Sequence, residues 1–280
     1  MKKILITGAN SYIGESVRDY LLQDPGNYAV DIIDTIGLDP TPEVFADYDV
    51  VFNVAGIAHI KETPENRHLY YDVNRDLCIK MAKAAKKAGI KQFILLSTMS
   101  VYGKVTGHIS KETKEAPINA YGKSKLQADQ YIKKISDESF KFACIRPPMV
   151  YGKGCKGNYQ TLRKFALKSP VFPKYNNERS MIFIGNLCEF IKNVIDEERA
   201  GLFIPQNSEY VNTSKLVNMI AINNGQKVKF VRCFNPMIKM IHVNVVNKVF
   251  GSLTYEKSDV INKYSFEESV SLTENDISVT

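Results

Sequence analysis

Apolar residues along this chain follow two patterns that alternate with one another. Short, unbroken apolar runs are typical of strands in a buried parallel sheet, and they occur at residues 3–7, 30–34, 48–55, 92–97, 141–146 and 201–205. Apolar residues three and four positions apart predict amphipathic helices over residues 14–21, 67–88, 121–136, 159–167 and 187–197. This alternation predicts an α/β fold built on a doubly wound parallel sheet.

The pattern also suggests a division of the chain. It is regular up to residue 150 and loosens after Tyr151, where Gly152, Gly154 and Gly157 predict a loop. We expect a first domain over residues 1–150, joined again by a segment at about 180–212. The remainder of residues 151–280 should form a small mixed C-terminal cap that binds substrate.

Tyr121 and Lys125 are the most informative pair in the sequence. Four residues apart on a predicted helix, they share one face, so the phenol and the ammonium can converge. A phenol has a pKa of about 10 in water, and a nearby cation favours its phenolate. The pair is therefore a candidate for moving a proton on or off a hydroxyl group at neutral pH.

A second candidate feature lies at the start of the chain. The first strand is followed by a turn with Gly8 and Gly14 and then by a helix. Backbone N–H groups at such a helix N-terminus can bind a pyrophosphate. One strand later stands Asp34, a carboxylate that can accept hydrogen bonds from a ribose and repel a 2′-phosphate. Together these features favour a dinucleotide site, with NAD rather than NADP.

Composition narrows the class of protein. No apolar run reaches membrane-spanning length, and the five cysteines and four histidines lack metal-ligand spacing. These features predict a cytoplasmic protein with reduced thiols, no membrane span and no metal. The net charge of +7 raises the possibility of nucleic-acid binding, but no stretch interleaves aromatic residues with Arg, so we expect no nucleic-acid partner. A basic surface also suits an anionic sugar nucleotide.

The stretch 236–250 is apolar with interspersed lysines and has two interpretations. It could lie on a membrane surface, or it could pack inside the cap. We favour packing inside the cap.

These motifs, in this order, resemble the extended short-chain dehydrogenases/reductases, in the branch of NAD-dependent nucleotide-sugar epimerases and dehydratases. The resemblance covers nearly the whole chain. The segments that carry it are residues 7–14 (TGANSYIG), 53–59 (NVAGIAH), 96–103 (LSTMSVYG), 121–125 (YGKSK), 146–152 (RPPMVYG) and 179–187 (RSMIFIGNL).

The resemblance implies a role for particular residues. The catalytic group would be Tyr121 as acid/base, Lys125 and the hydroxyl of Thr98. Residues at the cofactor, NAD, would be Gly8, Asn10, Ser11, Tyr12, Ile13, Gly14, Asp34, Val54, Ala55, Gly56, Ser97, Tyr121, Lys125 and Pro148. Those at the substrate would be His59, Ser100, Asn158 and Arg179, with Arg179 on the diphosphate. Asn158 could instead be only a helix N-cap, and His59 or Arg179 could be structural.

The sequence departs from the family pattern at three places. Ser11 replaces the second glycine of the fingerprint, and its hydroxyl could donate to a phosphate. Residues 36–40 are all that stand where a third strand usually runs. Met99 and Ser100 follow Thr98, where sugar 4,6-dehydratases carry an Asp-Glu pair, so dehydration is disfavoured.

The resemblance therefore implies an NAD-dependent 4-epimerase of a nucleotide sugar, a UDP-hexose or UDP-N-acetylhexosamine, which serves surface-glycan synthesis. The alternative within the family is an NAD(P)H-dependent reductase of a 4-keto-sugar nucleotide. The alternative from another class is a non-catalytic regulator that binds a dinucleotide; the intact Tyr121 and Lys125 argue against it. A homodimer through residues 67–88 and 121–136 would fit the family.

Overall fold

A computed structural model describes residues 1–58, 60–110, 112–241, 243–257 and 262–275. The chain divides into two compact units that are described separately below. The first unit contains Met1–Gly103, Glu115–Pro147 and Leu187–Pro205. The second contains Lys104–Lys114, Pro148–Asn186 and Gln206–Thr280.

The first unit is built on a sheet of six parallel strands in the order β10-β6-β4-β3-β1-β2, numbered along the whole chain. These strands are β1 (Lys2–Thr7), β2 (Tyr28–Ile33), β3 (Val50–Asn53), β4 (Gln92–Leu96), β6 (Lys141–Ile145) and β10 (Gly201–Phe203). The central strands are buried along nearly their whole length, as their unbroken apolar runs predict. The predicted parallel sheet is confirmed, including the late strand that returns to it.

The helices of this unit are α1 (Tyr12–Leu21), α2 (Arg67–Tyr71), α3 (Cys78–Lys87), α4 (Ala120–Ile135) and most of α6 (Ile184–Asp196). Met81 and Ala85 of α3 and Ile132 of α4 pack with Phe93 of β4 in a core without solvent access. The long helix predicted over residues 67–88 is helical from Arg67 to Lys87, but it is not α-helical throughout. Its middle, Asp72–Leu77, is a π-helical segment that joins α2 to α3.

The sheet ends at β2, so no third strand extends it on that side. Residues 34–49 contain a 3₁₀ turn at Pro42–Val44 instead of a strand. This agrees with the shortness of the segment in the sequence.

The second unit mixes helices with short parallel strand pairs. The pairs are β5 (Gly107–Ile109) with β12 (Leu253–Tyr255), β7 (Met149–Tyr151) with β9 (Met181–Phe183), and β8 (Val171–Pro173) with β11 (Lys229–Val231). The helices are α5 (Asn158–Lys168), α7 (Thr213–Asn223), α8 (Asn235–Met240), α9 (Asn244–Phe250) and α10 (Phe266–Glu274). Tyr151 stacks on Tyr159 with ring centroids 5.4 Å apart, at the centre of an aromatic core that includes Phe183.

The boundaries of the units differ from the expected division at two places. Lys104–Lys114 falls in the second unit because β5, which lies inside it, pairs with β12. The segment that returns to the first unit is Leu187–Pro205, which is shorter than the expected 180–212. No helix of the described residues is both long and apolar enough to cross a membrane.

Candidate active site

Helix α4 holds Tyr121 in its first turn, and two side chains fix that turn. The N-cap residue Asn119 accepts the N–H of Gly122 at 2.8 Å, and Glu62 Oε2 accepts the N–H of Ala120 at 2.9 Å. The first N–H groups of a helix have no acceptor within the helix, so these two contacts satisfy them. Tyr121 therefore stands on a well-anchored turn.

Thr98 lies next to Tyr121, as the sequence predicted. Its hydroxyl accepts the N–H of Ser100 at 3.1 Å and lies near enough to the Tyr121 phenol to lower the pKa of that phenol. Burial raises the pKa of Tyr121, and the Thr98 hydroxyl opposes that rise. The Tyr70 ring packs edge-on against Tyr121, with ring centroids 6.3 Å apart. The two candidate catalytic oxygens thus converge at one place.

Lys125 is one turn further along α4 and is 4% exposed. Its Nζ donates to the carbonyl of Leu96, the last residue of β4, at 3.0 Å. Burial lowers the pKa of Lys125, and the nearby Cys78 and Asp129 side chains oppose this. The side chain that lowers the pKa of Tyr121 is therefore that of Thr98. From the sequence we had expected Lys125 to lower it.

The turn after β3 lies close to Lys125. A Cβ on Gly56 would stand 3.0 Å from Lys125 Nζ and 2.9 Å from Asn74 Oδ1. Asn74, in the π-helical segment, is fully buried; it accepts the N–H of Ile57 at 2.7 Å and donates to its carbonyl at 3.1 Å. It also reaches the Ser124 hydroxyl of α4 at 3.4 Å. Asn74 therefore ties the turn to helix α4, and a side chain at Gly56 would disturb that arrangement.

The turn between β1 and α1 has the geometry expected of a phosphate-binding turn. Gly8 has a φ of 111°, and a Cβ there would lie 2.8 Å from the backbone of Ala55. A Cβ on Gly14 would lie 2.9 Å from Val54 Cγ2, so α1 packs against the neighbouring strand only because this residue is glycine. Ser11 is the N-cap of α1, and its Oγ accepts the N–H of Gly14 at 3.4 Å. The hydrogen of the Ser11 hydroxyl is therefore still available for donation to a phosphate, as its sequence position suggested.

The other residues predicted at this turn lie where the fingerprint places them. Asn10 has a positive φ of 61°, and Tyr12 and Ile13 open helix α1. Asp34 directly follows β2, is exposed, and accepts the N–H of Ile36 through Oδ1 at 3.0 Å.

A buried ionic cluster next to Thr98 was not foreseen. Asp129 of α4 is 4% exposed, and its Oδ2 accepts hydrogen bonds from Ser97 Oγ at 3.0 Å and from Arg146 Nε at 3.1 Å. Arg146 also donates to Glu115 at 2.9 Å and to the Tyr102 hydroxyl at 3.1 Å. The sequence did contain a signal for Asp129. It follows Tyr121 and Lys125 at the same interval of four residues, so its side chain lies on the same buried face of the helix.

This cluster changes the interpretation of Ser97. Its hydroxyl is turned to Asp129, and its N–H donates to the carbonyl of Ile145 at 2.7 Å. The carbonyl oxygen of Ser97 and the lone pairs of its hydroxyl remain for a contact with the cofactor, which stays a prediction.

The residues predicted at the substrate are placed as follows. Ser100 is half-buried in a 3₁₀ turn of the first unit. In the second unit, Asn158 is exposed as the first residue of α5, and Pro148, which was predicted at the cofactor and not at the substrate, is buried. The N-cap of α5 is Gly157, so the alternative that Asn158 is only an N-cap is wrong. His59 lies outside the described residues.

Arg179, also in the second unit, is engaged with backbone. Its Nη1 donates to the carbonyls of Asn247 at 3.3 Å and Gly251 at 2.6 Å, at the end of α9. Burial lowers the pKa of this guanidinium. A diphosphate contact from Arg179 stays a prediction, and it would have to use the other edge of the guanidinium.

The first unit thus offers a place for NAD. The fit rests on the side-chain-free surface at Gly56, where a Cβ would crowd Lys125, and on the capped first turn of α1, whose N–H groups suit a pyrophosphate. Asp34 suits a ribose. When bound, NAD takes up a hydride and gives it back. In the described part of the chain, no group of three or more His, Cys, Asp or Glu side chains could hold a metal ion.

Comparison with known proteins agrees with this geometry. The family model "NAD dependent epimerase/dehydratase family" matches residues 4–202, which is most of the chain. The chain belongs to this family. The predicted family, the Rossmann-type α/β fold, the NAD cofactor and the assignment as an enzyme are thereby confirmed.

Two curated relatives illustrate the range of the family. The chain is 30% identical to the UDP-glucose 4-epimerase of Vibrio cholerae over an alignment of 289 positions, which covers 94% of this chain and 85% of the relative. It is 31% identical to the N-acetyl-alpha-D-glucosaminyl-diphospho-ditrans,octacis-undecaprenol 4-epimerase of Escherichia coli O157:H7, over 61% of this chain and 52% of the relative.

Solved structures share the fold. The dTDP-4-dehydrorhamnose reductase of Bacillus anthracis, in complex with NADP, superposes with a TM-score of 0.77 at 19% identity and covers 98% of both chains. The UDP-glucuronic acid 4-epimerase of Bacillus cereus, in complex with NAD, gives a TM-score of 0.75 at 18% identity and covers 97% of both chains. At these identities the likeness concerns the fold alone.

Proposed function

We propose that the protein is an NAD-dependent 4-epimerase of a nucleotide sugar, with a UDP-hexose or UDP-N-acetylhexosamine as substrate. The observation that carries this proposal is the Thr98 hydroxyl beside the Tyr121 phenol, whose pKa it lowers, with Met99 and Ser100 as the residues that follow Thr98. A relative that matches 94% of this chain, from Vibrio cholerae, is a UDP-glucose 4-epimerase.

In this proposal Tyr121 exchanges a proton with the hydroxyl oxygen at C4 of the sugar. Thr98 orients the phenol and favours its deprotonated form, because the Thr98 hydroxyl lowers the pKa of Tyr121. Burial raises that pKa, so the two effects oppose each other. Lys125, fixed to Leu96, holds the cofactor ribose.

The same surroundings disfavour elimination of water. A dehydratase needs an acid and a base beside the sugar, and the thioether of Met99 and the hydroxyl of Ser100 supply neither at neutral pH. Loss of water from C5 and C6 of the sugar is therefore not expected.

The test is product analysis without added cofactor. Purified protein is incubated with UDP-glucose, UDP-galactose and their N-acetyl forms, and the products are separated by anion-exchange chromatography. A new C4 epimer is expected from at least one of them, with NAD released on denaturation. Tyr121→Phe should lower turnover at least about a hundredfold and keep its NAD, whereas Tyr131→Phe on the same helix should behave as the wild type.

The proposal is contradicted if none of these four substrates is converted. A reductase of a 4-keto-sugar nucleotide is the second candidate, because the UDP-2-acetamido-2,6-beta-L-arabino-hexul-4-ose reductase of Pseudomonas aeruginosa is 25% identical over 57% of this chain. Oxidation of NADH or NADPH with a 4-keto substrate would then identify it. Homodimerisation and a cytoplasmic location belong to the same proposal, and light scattering in solution tests the former.

A further inference from the structure

Four apolar side chains on the second unit face solvent along one stretch of chain. They are Phe234, Met237, Met240 and Val243, exposed by 40%, 53%, 82% and 53% respectively. We call these four residues the apolar patch. They recur every third residue along α8 and the residues that follow it, so Phe234, Met237 and Met240 share one side of that helix.

The patch lies on the outer side of α8, a short helix that carries only two polar residues, Asn235 and Lys239. Ile238, one position after Met237, is only 9% exposed and faces inward. A helix with one side in the core and an equally apolar side in water is unusual for a protein surface that contacts only solvent. From the sequence we expected residues 236–250 to be buried inside the cap, whereas in the structure only one side of α8 is buried.

The chain on either side of the patch is firmly attached to the second unit. Before it, Phe230 packs edge-on against Phe172, with ring centroids 6.2 Å apart. After it, Phe250 packs against the same Phe172 at 5.7 Å and against Tyr175 at 5.5 Å. Arg179 holds the end of α9 through its two carbonyl contacts. The patch is therefore presented by a fixed support.

Along the stretch of chain that carries the patch, the charge is of one sign. Residues 210–255 contain six Lys or Arg residues and no Asp or Glu, so this stretch accounts for six of the seven net positive charges of the whole chain. Lys215 is paired with Glu267. Among the described residues, no ion pair is formed by the exposed basic side chains nearest the patch in the sequence, which are Lys227, Lys229, Arg232 and Lys248.

We propose that the apolar patch and these basic residues dock the protein onto the surface of an anionic lipid bilayer. A bilayer offers both things that this surface requires: negative headgroups for the lysines and arginine, and an apolar layer just beneath them for the Phe and Met side chains. A second copy of the chain would bring the same positive charges face to face, and a nucleic acid would leave the apolar side chains in water. The inference does not depend on the proposed epimerase activity.

The experiment is co-sedimentation of the full chain with vesicles at about 0.1 M salt. Vesicles of equal parts phosphatidylglycerol and phosphatidylcholine are compared with vesicles of phosphatidylcholine alone. The wild type should bind the first and not the second, and about 1 M salt should release it because screening shortens the reach of the charges. Met237→Ser/Met240→Ser should lower binding about tenfold or more, and Arg232→Gln/Lys248→Gln about fivefold per charge.

Matched variants separate docking from general stickiness and charge. Ile36→Ser removes an apolar side chain that is 90% exposed on the first unit, and Lys80→Gln/Lys87→Gln removes two exposed lysines from it. Both should bind as the wild type does. The proposal is overturned if the wild type ignores anionic vesicles, or if these control variants lose as much binding as the patch variants. It is equally overturned if light scattering shows a dimer that Met237→Ser/Met240→Ser dissociates while vesicles are not bound.

Discussion

Arg146→Met should strongly destabilise the first unit. The variant removes three hydrogen bonds, to Asp129, Glu115 and Tyr102, and leaves a carboxylate at Asp129 that is only 4% exposed. Removing one partner of a buried ion pair costs about 3–5 kcal/mol, because the other charge stays buried without compensation. Ser97 still donates to Asp129, so we expect the lower half of that range, about 3 kcal/mol.

The pH dependence follows from the same pair. Burial raises the pKa of Asp129, and Arg146 opposes the rise, so the pKa is highest in Arg146→Met. A carboxyl whose folded-state pKa lies above its unfolded value loses stability as the pH rises between the two values. The cost of Arg146→Met should therefore be larger at pH 8 than at pH 5.5.

Two further variants isolate the buried charge. In Arg146→Met/Asp129→Leu no charge is left unpaired in the core, so this double variant should be more stable than Arg146→Met alone. Arg18→Met, which removes an exposed arginine paired with Glu15 and Asp19, should cost at most about 1 kcal/mol.

Urea unfolding followed by circular dichroism at the two pH values measures all three variants. The reasoning is refuted if Arg146→Met costs no more than Arg18→Met, if its cost is the same at both pH values, or if the added Asp129→Leu destabilises it further.

Two other predictions concern the site itself. Thr98→Val removes the hydroxyl that lowers the pKa of Tyr121. The limb of the pH–rate profile governed by Tyr121 should therefore move to higher pH, and kcat should fall about a hundredfold. If that limb does not move, Thr98 does not lower the pKa of Tyr121. Gly14→Ala places a Cβ 2.9 Å from Val54 Cγ2, so it should cost about 1–3 kcal/mol of stability and weaken the retention of NAD. Thermal unfolding measures the first effect, and the NAD released from the purified protein measures the second. The control Gly26→Ala, with no atom nearer than 3.9 Å to the new Cβ, should be nearly neutral.

The elements that the sequence predicts well are those whose pattern is local. The strand–turn–helix of β1 and α1 and the helix that carries Tyr121 follow from apolar spacing and from glycines at fixed positions. The π-helical segment does not, because it depends on hydrogen bonds between Asn74 and Ile57, which is 17 residues earlier. Periodicity along one segment carries no information about such a partner.

The second unit was the least predictable part for the same reason. Its strands are three residues long, and β5 pairs with β12, which lies more than 140 positions later in the chain. Three residues are too few for a period to be recognised, and neither segment is strongly apolar alone. The exposure of the apolar patch was also missed, since sequence alone does not show which side of an apolar helix meets the core.

The candidate catalytic residues and the buried ion pair occupy one face of helix α4. Tyr121, Lys125 and Asp129 follow at intervals of four residues; Tyr121 is half-buried, and Lys125 and Asp129 are both buried in the first unit. Lys125 binds the end of β4 through the Leu96 carbonyl, and Asp129 binds Ser97, the residue before Thr98. Each of these contacts joins the helix to the same few residues of chain. These two buried polar contacts, Lys125 to Leu96 and Asp129 to Ser97, therefore fix the position of Thr98 relative to Tyr121. This role explains why charged groups are present there although their burial costs desolvation free energy.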